Sequence, residues 1–278
     1  MDVELDRVHK PLRELRKSLK RLPKNPPPEA VHKLRTRARH IEAIAAALAQ
    51  SDEKTTRRLL KSIKPVRKAA GGVRDMDVLR GNALSLPQNS HNGALTRLVE
   101  RLGIARRKSA EDLLDTVGQQ RKTARQNLKK YLKVVDTAFA NGKSGSTHAA
   151  QPMQSEQHVR AVTSDLIAEL SRWPALGAGN IHPFRLKVKE LRYILQLLPH
   201  PEPPLVKALG DVKEQIGDWH DWQQLAKKAR QILDPAEDRS LVAEIDRIGK
   251  GKLRRALATS NTLRKQFLKP AAPTRKAR

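Results

Sequence analysis

The sequence predicts an all-α protein made of two similar helical bundles joined by a linker. Apolar residues recur along the chain at the three-to-four spacing of amphipathic helices, and no convincing run of alternating residues indicates a sheet. A basic segment that begins with histidine occurs twice, at His32 and again at His182. A second pair of segments, 59–79 and 205–225, aligns in the same order at nearly the same offset. Two matched pairs indicate an internal duplication.

Prolines and glycines set the predicted helix ends in the first part of the chain. The first helix carries a leucine seam and ends at Pro23, and Pro28 suits the first turn of a second helix that runs to about Gln50. Ser51 is the predicted N-cap of the third helix. The pair Gly71-Gly72 is expected to break that helix.

A short helix from Arg74 and a long helix from Ala94 to Phe139 are expected next, with Gly103 and Gly118 as potential breaks in the long one. The stretch that follows is rich in small and polar residues and is the predicted linker. The helices predicted in the second half are 155–172, 181–198, 204–216, 219–233 and 236–268. The predicted division is a first helical repeat (1–140), a linker (141–152), a second helical repeat (153–268) and a disordered basic tail (269–278).

Composition predicts a polyanion-binding protein. Lys and Arg number 56 against 29 Asp and Glu, which gives a formal net charge of +27. Because so much like charge opposes compaction, we expect a negatively charged partner: nucleic acid, an anionic membrane face or another phosphate polymer. Aromatic residues make up only 3% of the chain, too few for base stacking to be the main binding mode.

Two further features favour a cytoplasmic protein. The chain has no cysteine, which excludes disulfides and cysteine-type zinc sites and fits a reducing compartment. Its N-terminus is acidic and amphipathic rather than a signal peptide, and its longest apolar runs are too short to span a bilayer. We therefore expect no membrane partner.

Each histidine-led segment is predicted to carry a basic stripe along one face of a helix, opposite its apolar face. A solvated charged surface is the alternative for either helix, but acidic residues usually interleave with basic ones there, and these stripes have none before Glu42 or Glu190. Arginine suits bidentate contact with phosphate, and histidine can donate to it. The stripes consist of His32, Arg35 and Arg39 in the first half and of His182, Arg185, Lys189 and Arg192 in the second.

Weaker basic stripes are interpreted as secondary contacts, because surface lysine is common. These are Arg13, Lys17 and Lys20; Lys122, Arg125, Lys129 and Lys133; and Arg247, Lys250 and Arg254.

The sequence offers little for catalysis. Asp75 and Asp77 form a D-x-D pair that could hold Mg²⁺, but an acid near a helix N-terminus or an ion pair with Arg74 is the favoured interpretation. The segment 142–144 is similar to the end of a P-loop, yet Thr137 stands where that motif requires glycine. The nine histidines show no metal-binding spacing. We expect a binding module without catalytic residues, metal or cofactor.

Three segments resemble the CHAD family, the conserved histidine α-helical domain. They are 31–35 with Arg39, 72–79 and 182–193, and the resemblance extends over residues 1–268. It implies two four-helix bundles related by approximate two-fold symmetry, with basic residues lining a central groove or pore between them. It also implies binding of inorganic polyphosphate, and in some bacteria a location on polyphosphate granules. The chain resembles a stand-alone member, since it lacks the Glu-x-Glu-x-Lys strand of the triphosphate-tunnel domain that some members carry.

Carried over by position, the resemblance implies eleven ligand-binding residues. The second half departs from the Arg-Asp pattern of the first, because His220 stands where the first half has Arg74. The implied residues are His32, Arg35, Arg39, Arg67, Arg74, His182, Arg185, Lys189, Arg192, Lys213 and His220.

Two functions compete for this basic surface. The first is non-catalytic binding of inorganic polyphosphate, through charge-assisted hydrogen bonds and counterion release. The second is non-specific binding of RNA or DNA. A narrow basic cleft would admit a thin phosphate chain and exclude a duplex, so competition between the two polyanions distinguishes them.

Overall fold

The computed structural model describes residues 3–47, 53–87, 93–140, 150–195 and 201–268. These residues form helices and connecting turns and contain no β-strand, so the predicted all-α class is confirmed. The helices are α1 (Val3–Arg21), α2 (Pro28–Ala47), α3 (Glu53–Leu84), α4 (Ala94–Ala140), α5 (Ala150–Ser171), α6 (Ile181–Leu195), α7 (Pro203–Ile232) and α8 (Arg239–Phe267).

The chain divides into two compact units. One consists of Met1–Gln88 and Leu95–His148, and the other of Asn89–Ala94 and Ala149–Arg278. We refer to α1–α4 as the first bundle and to α5–α8 as the second bundle. The finer domain boundaries and the internal duplication stay predictions.

Polar contacts follow the helix order around the first bundle and show that each helix neighbours the next. The ring closes because α4 returns to α1. Arg37 Nε donates to Glu14 Oε2 at 3.0 Å between α1 and α2, Arg67 Nε donates to Glu42 Oε1 at 2.7 Å between α2 and α3, Asn127 Nδ2 donates to the Arg58 carbonyl oxygen at 3.1 Å between α3 and α4, and His9 Nε2 lies 2.8 Å from Asp136 Oδ1 between α1 and α4.

The second bundle has the same cyclic order. Lys187 on α6 corresponds to Arg37 on α2, because each forms an ion pair with a glutamate of the preceding helix. Lys187 Nζ lies 3.0 Å from Glu169 Oε2 between α5 and α6, Arg185 Nε donates to the Lys213 carbonyl oxygen at 3.0 Å between α6 and α7, Lys252 Nζ lies 2.6 Å from Asp218 Oδ2 between α7 and α8, and Arg264 Nη2 donates to the Ser171 carbonyl oxygen at 3.2 Å between α8 and α5.

The expected break at Gly71-Gly72 is wrong, as is the separate short helix from Arg74, because α3 continues to Leu84. The gap predicted between 216 and 219 is likewise absent, since α7 runs through Gly217. A helical glycine costs only about 1 kcal/mol relative to alanine, which burial of the flanking apolar residues outweighs.

Other predicted helix ends shift or cannot be compared. Neither Gly103 nor Gly118 interrupts α4. Helix α5 starts at Ala150, inside the predicted linker. The predicted cap at Ser51, the rest of the linker and the tail at 269–278 lie outside the described residues. Among the helices that are described, none is both long and apolar enough to cross a membrane.

Candidate anion-binding site

Helix α2 buries one face and turns its basic stripe away from the core. Val31, Leu34 and Ala38 are fully buried in the hydrophobic core of the first bundle, whereas Arg35 and Arg39 are only half-buried. The backbone of the helix start is satisfied locally, because the carbonyl oxygen of Pro27 accepts from the N–H groups of the first turn. The apolar spacing therefore determines where the arginines lie.

Arg35 lies over the backbone of α3 at Gly71. A Cβ atom at Gly71 would be 3.5 Å from Arg35 Nε, an ordinary van der Waals distance. The Nη2 atom of Arg35 is 3.9 Å from Asp75 Oδ1, one turn further along α3. Its Nε is buried and has no hydrogen-bond partner among the described residues. Contacts with α3 thus hold the Arg35 side chain in place, while its Nε–H group remains available to donate a hydrogen bond.

Several cations surround Arg35. Burial lowers the pKa of Arg35, and the positive charges of Arg39, Arg67 and Arg74 lower it further, while Asp75 opposes them. Arg67 is already bound to Glu42, at 2.7 Å. The cluster therefore carries an excess of positive charge that an anion would offset.

The Asp75 side chain is 63% exposed and lies beside these arginines. Partial desolvation raises the pKa of Asp75, and the positive charges of Arg35, Arg39 and Arg74 oppose that rise. Asp77 differs, because it is nearly buried and its Oδ1 accepts from Arg106 Nε at 2.9 Å. The two aspartates of the D-x-D pair thus each have an arginine neighbour.

In the second bundle, Arg185 approaches the backbone of α7 more closely. Its Nε donates to the Lys213 carbonyl oxygen at 3.0 Å. A Cβ atom at Gly217 would lie 2.8 Å from Arg185 Nη2, closer than such atoms normally come. Glycine is therefore needed at 217 for Arg185 to occupy this position.

Arg192 and Lys213 extend the second cluster along the same pair of helices. Burial lowers the pKa of Lys213, and so do the charges of Arg192 and Arg185, while Glu214 opposes them. The Nε of Arg192 is buried without a hydrogen-bond partner in the described part of the chain. Arg192, Lys213 and Gly210 line part of an open cavity of about 510 Å³, which gives an anion access to them.

His182 and His220 pack against each other, with ring centroids 4.5 Å apart and planes tilted by 34°. Burial lowers the pKa of His182, as do the charges of Arg185 and Lys189. Burial also lowers the pKa of His220, to which His182 and Arg185 contribute. The Nδ1 atom of each ring is buried and lacks a hydrogen-bond partner among the described residues.

The predicted site residues thus fall into one cluster in each bundle. The first, the α2–α3 cluster, consists of Arg35, Arg39, Arg67 and Arg74. The second, the α6–α7 cluster, consists of His182, Arg185, Lys189, Arg192, Lys213 and His220. His32 lies exposed on α2, unlike half-buried His182.

Gly71 and Gly217 are the site residues that the sequence interpretation missed. The sequence predicts a helix break at Gly71 and a gap between helices at Gly217, whereas each glycine lies under the first arginine of its stripe. A signal is present in the predicted duplication, in which Gly71 aligns with Gly217 and Arg35 aligns with Arg185.

Comparison with protein families gives a match to the CHAD domain over residues 6–230. The chain belongs to the CHAD family. The matched range contains all eleven predicted ligand-binding residues and ends within α7, so α8 lies beyond it. CHAD domains are a known polyphosphate-binding family. No curated protein and no solved structure matches the chain.

Proposed function

We propose that this CHAD protein binds inorganic polyphosphate non-catalytically, through the α2–α3 cluster of the first bundle and the α6–α7 cluster of the second. The observation that supports this most directly is the presence of buried donor atoms without partners, on Arg35 and Arg192. Leaving a buried donor unsatisfied costs about 1–3 kcal/mol. A phosphate oxygen would accept these hydrogen bonds and offset the clustered charge.

A phosphate polymer suits the spacing of the cations better than a compact anion does. The stripe on α6 runs from His182 through Arg185 and Lys189 to Arg192, which is nearly three helical turns. A chain with charge on every unit can contact each cation in turn, without any base to stack.

Non-specific binding of RNA or DNA is the competing function. It would use the same cations through their contacts with backbone phosphates. The low aromatic content of 3% favours polyphosphate, because single-stranded nucleic acid is usually held by stacking.

A competition titration at fixed salt tests the proposal. Labelled long-chain polyphosphate is bound to the full chain and displaced by unlabelled polyphosphate, RNA or DNA of equal total charge. We expect polyphosphate to displace the label at the lowest concentration, and longer chains to outcompete shorter ones. Equal or better displacement by nucleic acid would favour the competing function. Salt dependence is steep in either case and does not discriminate.

A cytoplasmic location on polyphosphate granules follows as a proposal. A fluorescent fusion is expected to coincide with stained granules. The same fusion carrying Arg35→Ala, Arg39→Ala, Arg185→Ala and Lys189→Ala is expected to stay diffuse. Granule association that survives these four changes would separate localisation from the proposed site.

A further inference from the structure

Among the residues that the structure describes, only cations line a small cavity in the first bundle. It lies between α1 and α4 and has a volume of about 230 Å³. Drug-sized ligands usually occupy cavities of about 300–1,000 Å³, so this one suits a more compact molecule. Its lining residues are Arg13, Arg16, Lys17, Lys20 and Arg125.

The cavity has structural support from both helices. On α4, Ala124 and Leu128 are fully buried on either side of half-buried Arg125, which fixes the direction of the arginine. The Nε of Arg125 is buried and has no hydrogen-bond partner in the described ranges. The donor therefore lacks the acceptor that its burial demands.

On α1, a histidine contact orients one further cation. Arg13 Nη2 lies 3.4 Å from His9 Nδ1. The other ring nitrogen, His9 Nε2, lies 2.8 Å from Asp136 Oδ1 on α4. The carboxylate of Asp136 is thus engaged by His9 and is not among the residues that line the cavity.

This cavity lies on the side of the first bundle opposite the α2–α3 cluster. The four helices contact one another in cyclic order, so the seam between α1 and α4 faces away from the seam between α2 and α3. The two groups of cations therefore do not form one continuous site within this bundle.

The second bundle has no equivalent set of cations. Its core positions align with those of the first bundle, since Leu12, Leu15 and Leu19 correspond to Thr163, Leu166 and Leu170 by burial, and Ala124 corresponds to Ala256. In that alignment all five lining cations have uncharged counterparts, so the similar helix packing does not by itself require the charges. The counterparts of Arg13, Arg16, Lys17, Lys20 and Arg125 are Ser164, Ile167, Ala168, Ser171 and Leu257.

We propose that the α1–α4 cavity is a second anion site, which takes a compact phosphate anion with two or three phosphate groups. Five cations around a small volume call for high charge density, which a pyrophosphate or triphosphate group supplies. Three of the five are arginines, whose guanidinium forks match phosphate oxygens in pairs. The source is a free oligophosphate or the phosphate end of a nucleotide, and the site is independent of the proposed long-chain site.

Calorimetric titration with inorganic tripolyphosphate tests the second site. It is carried out on a background in which Arg35, Arg39, Arg185 and Lys189 are alanine, so that the remaining binding does not depend on the stripes. Adding Arg125→Ala and Lys17→Ala is expected to weaken tripolyphosphate binding at least about tenfold, through loss of charge-assisted hydrogen bonds. The matched control removes two exposed lysines elsewhere, by Lys61→Ala and Lys130→Ala, and is expected to change affinity less than about twofold.

A second variant tests the site without replacing a half-buried residue, in case the Arg125→Ala variant fails to fold. Lys17→Ala with Lys20→Ala removes two exposed lining cations and leaves half-buried Arg125 in place, and it is expected to weaken binding in the same direction. Equal affinity of ATP and tripolyphosphate would indicate a nucleotide source whose base stays outside, and weaker ATP binding a free oligophosphate. Cavity variants that match the lysine control would overturn the site, and citrate binding as tight as tripolyphosphate would overturn its preference for phosphate.

Discussion

Arg185 occupies space that only glycine leaves free at position 217. A Cβ atom there would be 2.8 Å from Arg185 Nη2, whereas the matched contact of Gly71 with Arg35 leaves 3.5 Å. The two clusters therefore differ in how tightly the arginine is seated against the neighbouring helix. This difference can be measured by adding a single methyl group.

We predict that Gly217→Ala weakens polyphosphate binding without unfolding the protein. The displaced atom is the end of a flexible side chain, so Arg185 can swing away and lose its hydrogen bond to the Lys213 carbonyl oxygen. Alanine also favours the helix by up to about 1 kcal/mol, which offsets the lost contact in the free energy of unfolding. We expect several-fold weaker binding by calorimetry and an unchanged or slightly higher melting temperature.

Two glycine variants serve as controls. Gly71→Ala meets only an ordinary contact with Arg35, and Gly118→Ala meets no atom within 4 Å. Both are expected to raise stability by up to about 1 kcal/mol and to leave polyphosphate affinity nearly unchanged. If Gly217→Ala binds as tightly as Gly118→Ala, the seating of Arg185 does not matter for the ligand.

We predict that the two stripes contribute comparably to binding. Replacing Arg35 and Arg39 with alanine is expected to weaken polyphosphate affinity about as much as replacing Arg185 and Lys189. Each lost charge-assisted hydrogen bond costs roughly 1.5–3 kcal/mol if the site is partly desolvated. Affinity is measured at fixed salt by anisotropy, with circular dichroism to check folding.

The matched control for these variants removes an exposed arginine, by Arg57→Ala, whose partner is Glu53 on the same helix. A change there is expected to leave affinity almost untouched. If one stripe variant binds like the parent while it stays folded, the proposal of two cooperating clusters is wrong.

The apolar spacing of α2 and α6 predicted which residues face the core. Val31, Leu34 and Ala38 are buried, as are Ile181, Phe184 and Val188, so the basic stripes had to point elsewhere. The spacing within one helix could not predict which residues of the neighbouring helix its side chains contact. Whether a glycine serves a turn or a close approach depends on the neighbouring helix, which is why the sequence predicts a gap between helices at Gly217. The same dependence leaves His32 exposed and His182 half-buried, although their local sequences match.

We predict that Arg106→Ala destabilises the first bundle strongly. Arg106 Nε donates to Asp77 Oδ1 at 2.9 Å, and its Nη2 donates to the Pro26 carbonyl oxygen at 2.6 Å. The side chains of Arg106 and Asp77 are only 15% and 7% exposed. Removing the arginine leaves a buried carboxylate unpaired, which costs about 3–5 kcal/mol. The measurement is the free energy of unfolding in denaturant.

The neighbouring exposed residue supplies the control, since Arg107→Ala is expected to change stability by less than about 0.5 kcal/mol. Asp77 belongs to the D-x-D pair that could hold Mg²⁺, but its pairing with Arg106 predicts that added Mg²⁺ leaves the melting temperature unchanged. A rise in melting temperature that Asp77→Asn abolishes would reverse that interpretation.

We predict that polyphosphate binding strengthens as pH falls from 8 to 6, because the histidine pair takes up protons in the complex. In the free protein, burial and neighbouring cations lower the pKa of both His182 and His220. A bound polyanion offsets those positive charges and raises the pKa values again. Proton uptake is measured by calorimetry in buffers of different ionisation enthalpy.

The same pKa shifts fix the sign of a stability effect. An unfolded chain protonates these histidines near pH 6.5, whereas the folded protein resists protonation to lower pH because their folded pKa values are lowered. The free energy of unfolding of the ligand-free protein therefore falls as pH drops below about 6.5. Replacing His182 and His220 together with glutamine is expected to flatten both the binding and the stability profiles in this range. His40, whose pKa burial also lowers, stays in both proteins and gives a common background. Profiles of equal slope in the variant and the parent would remove the histidine pair from the binding site.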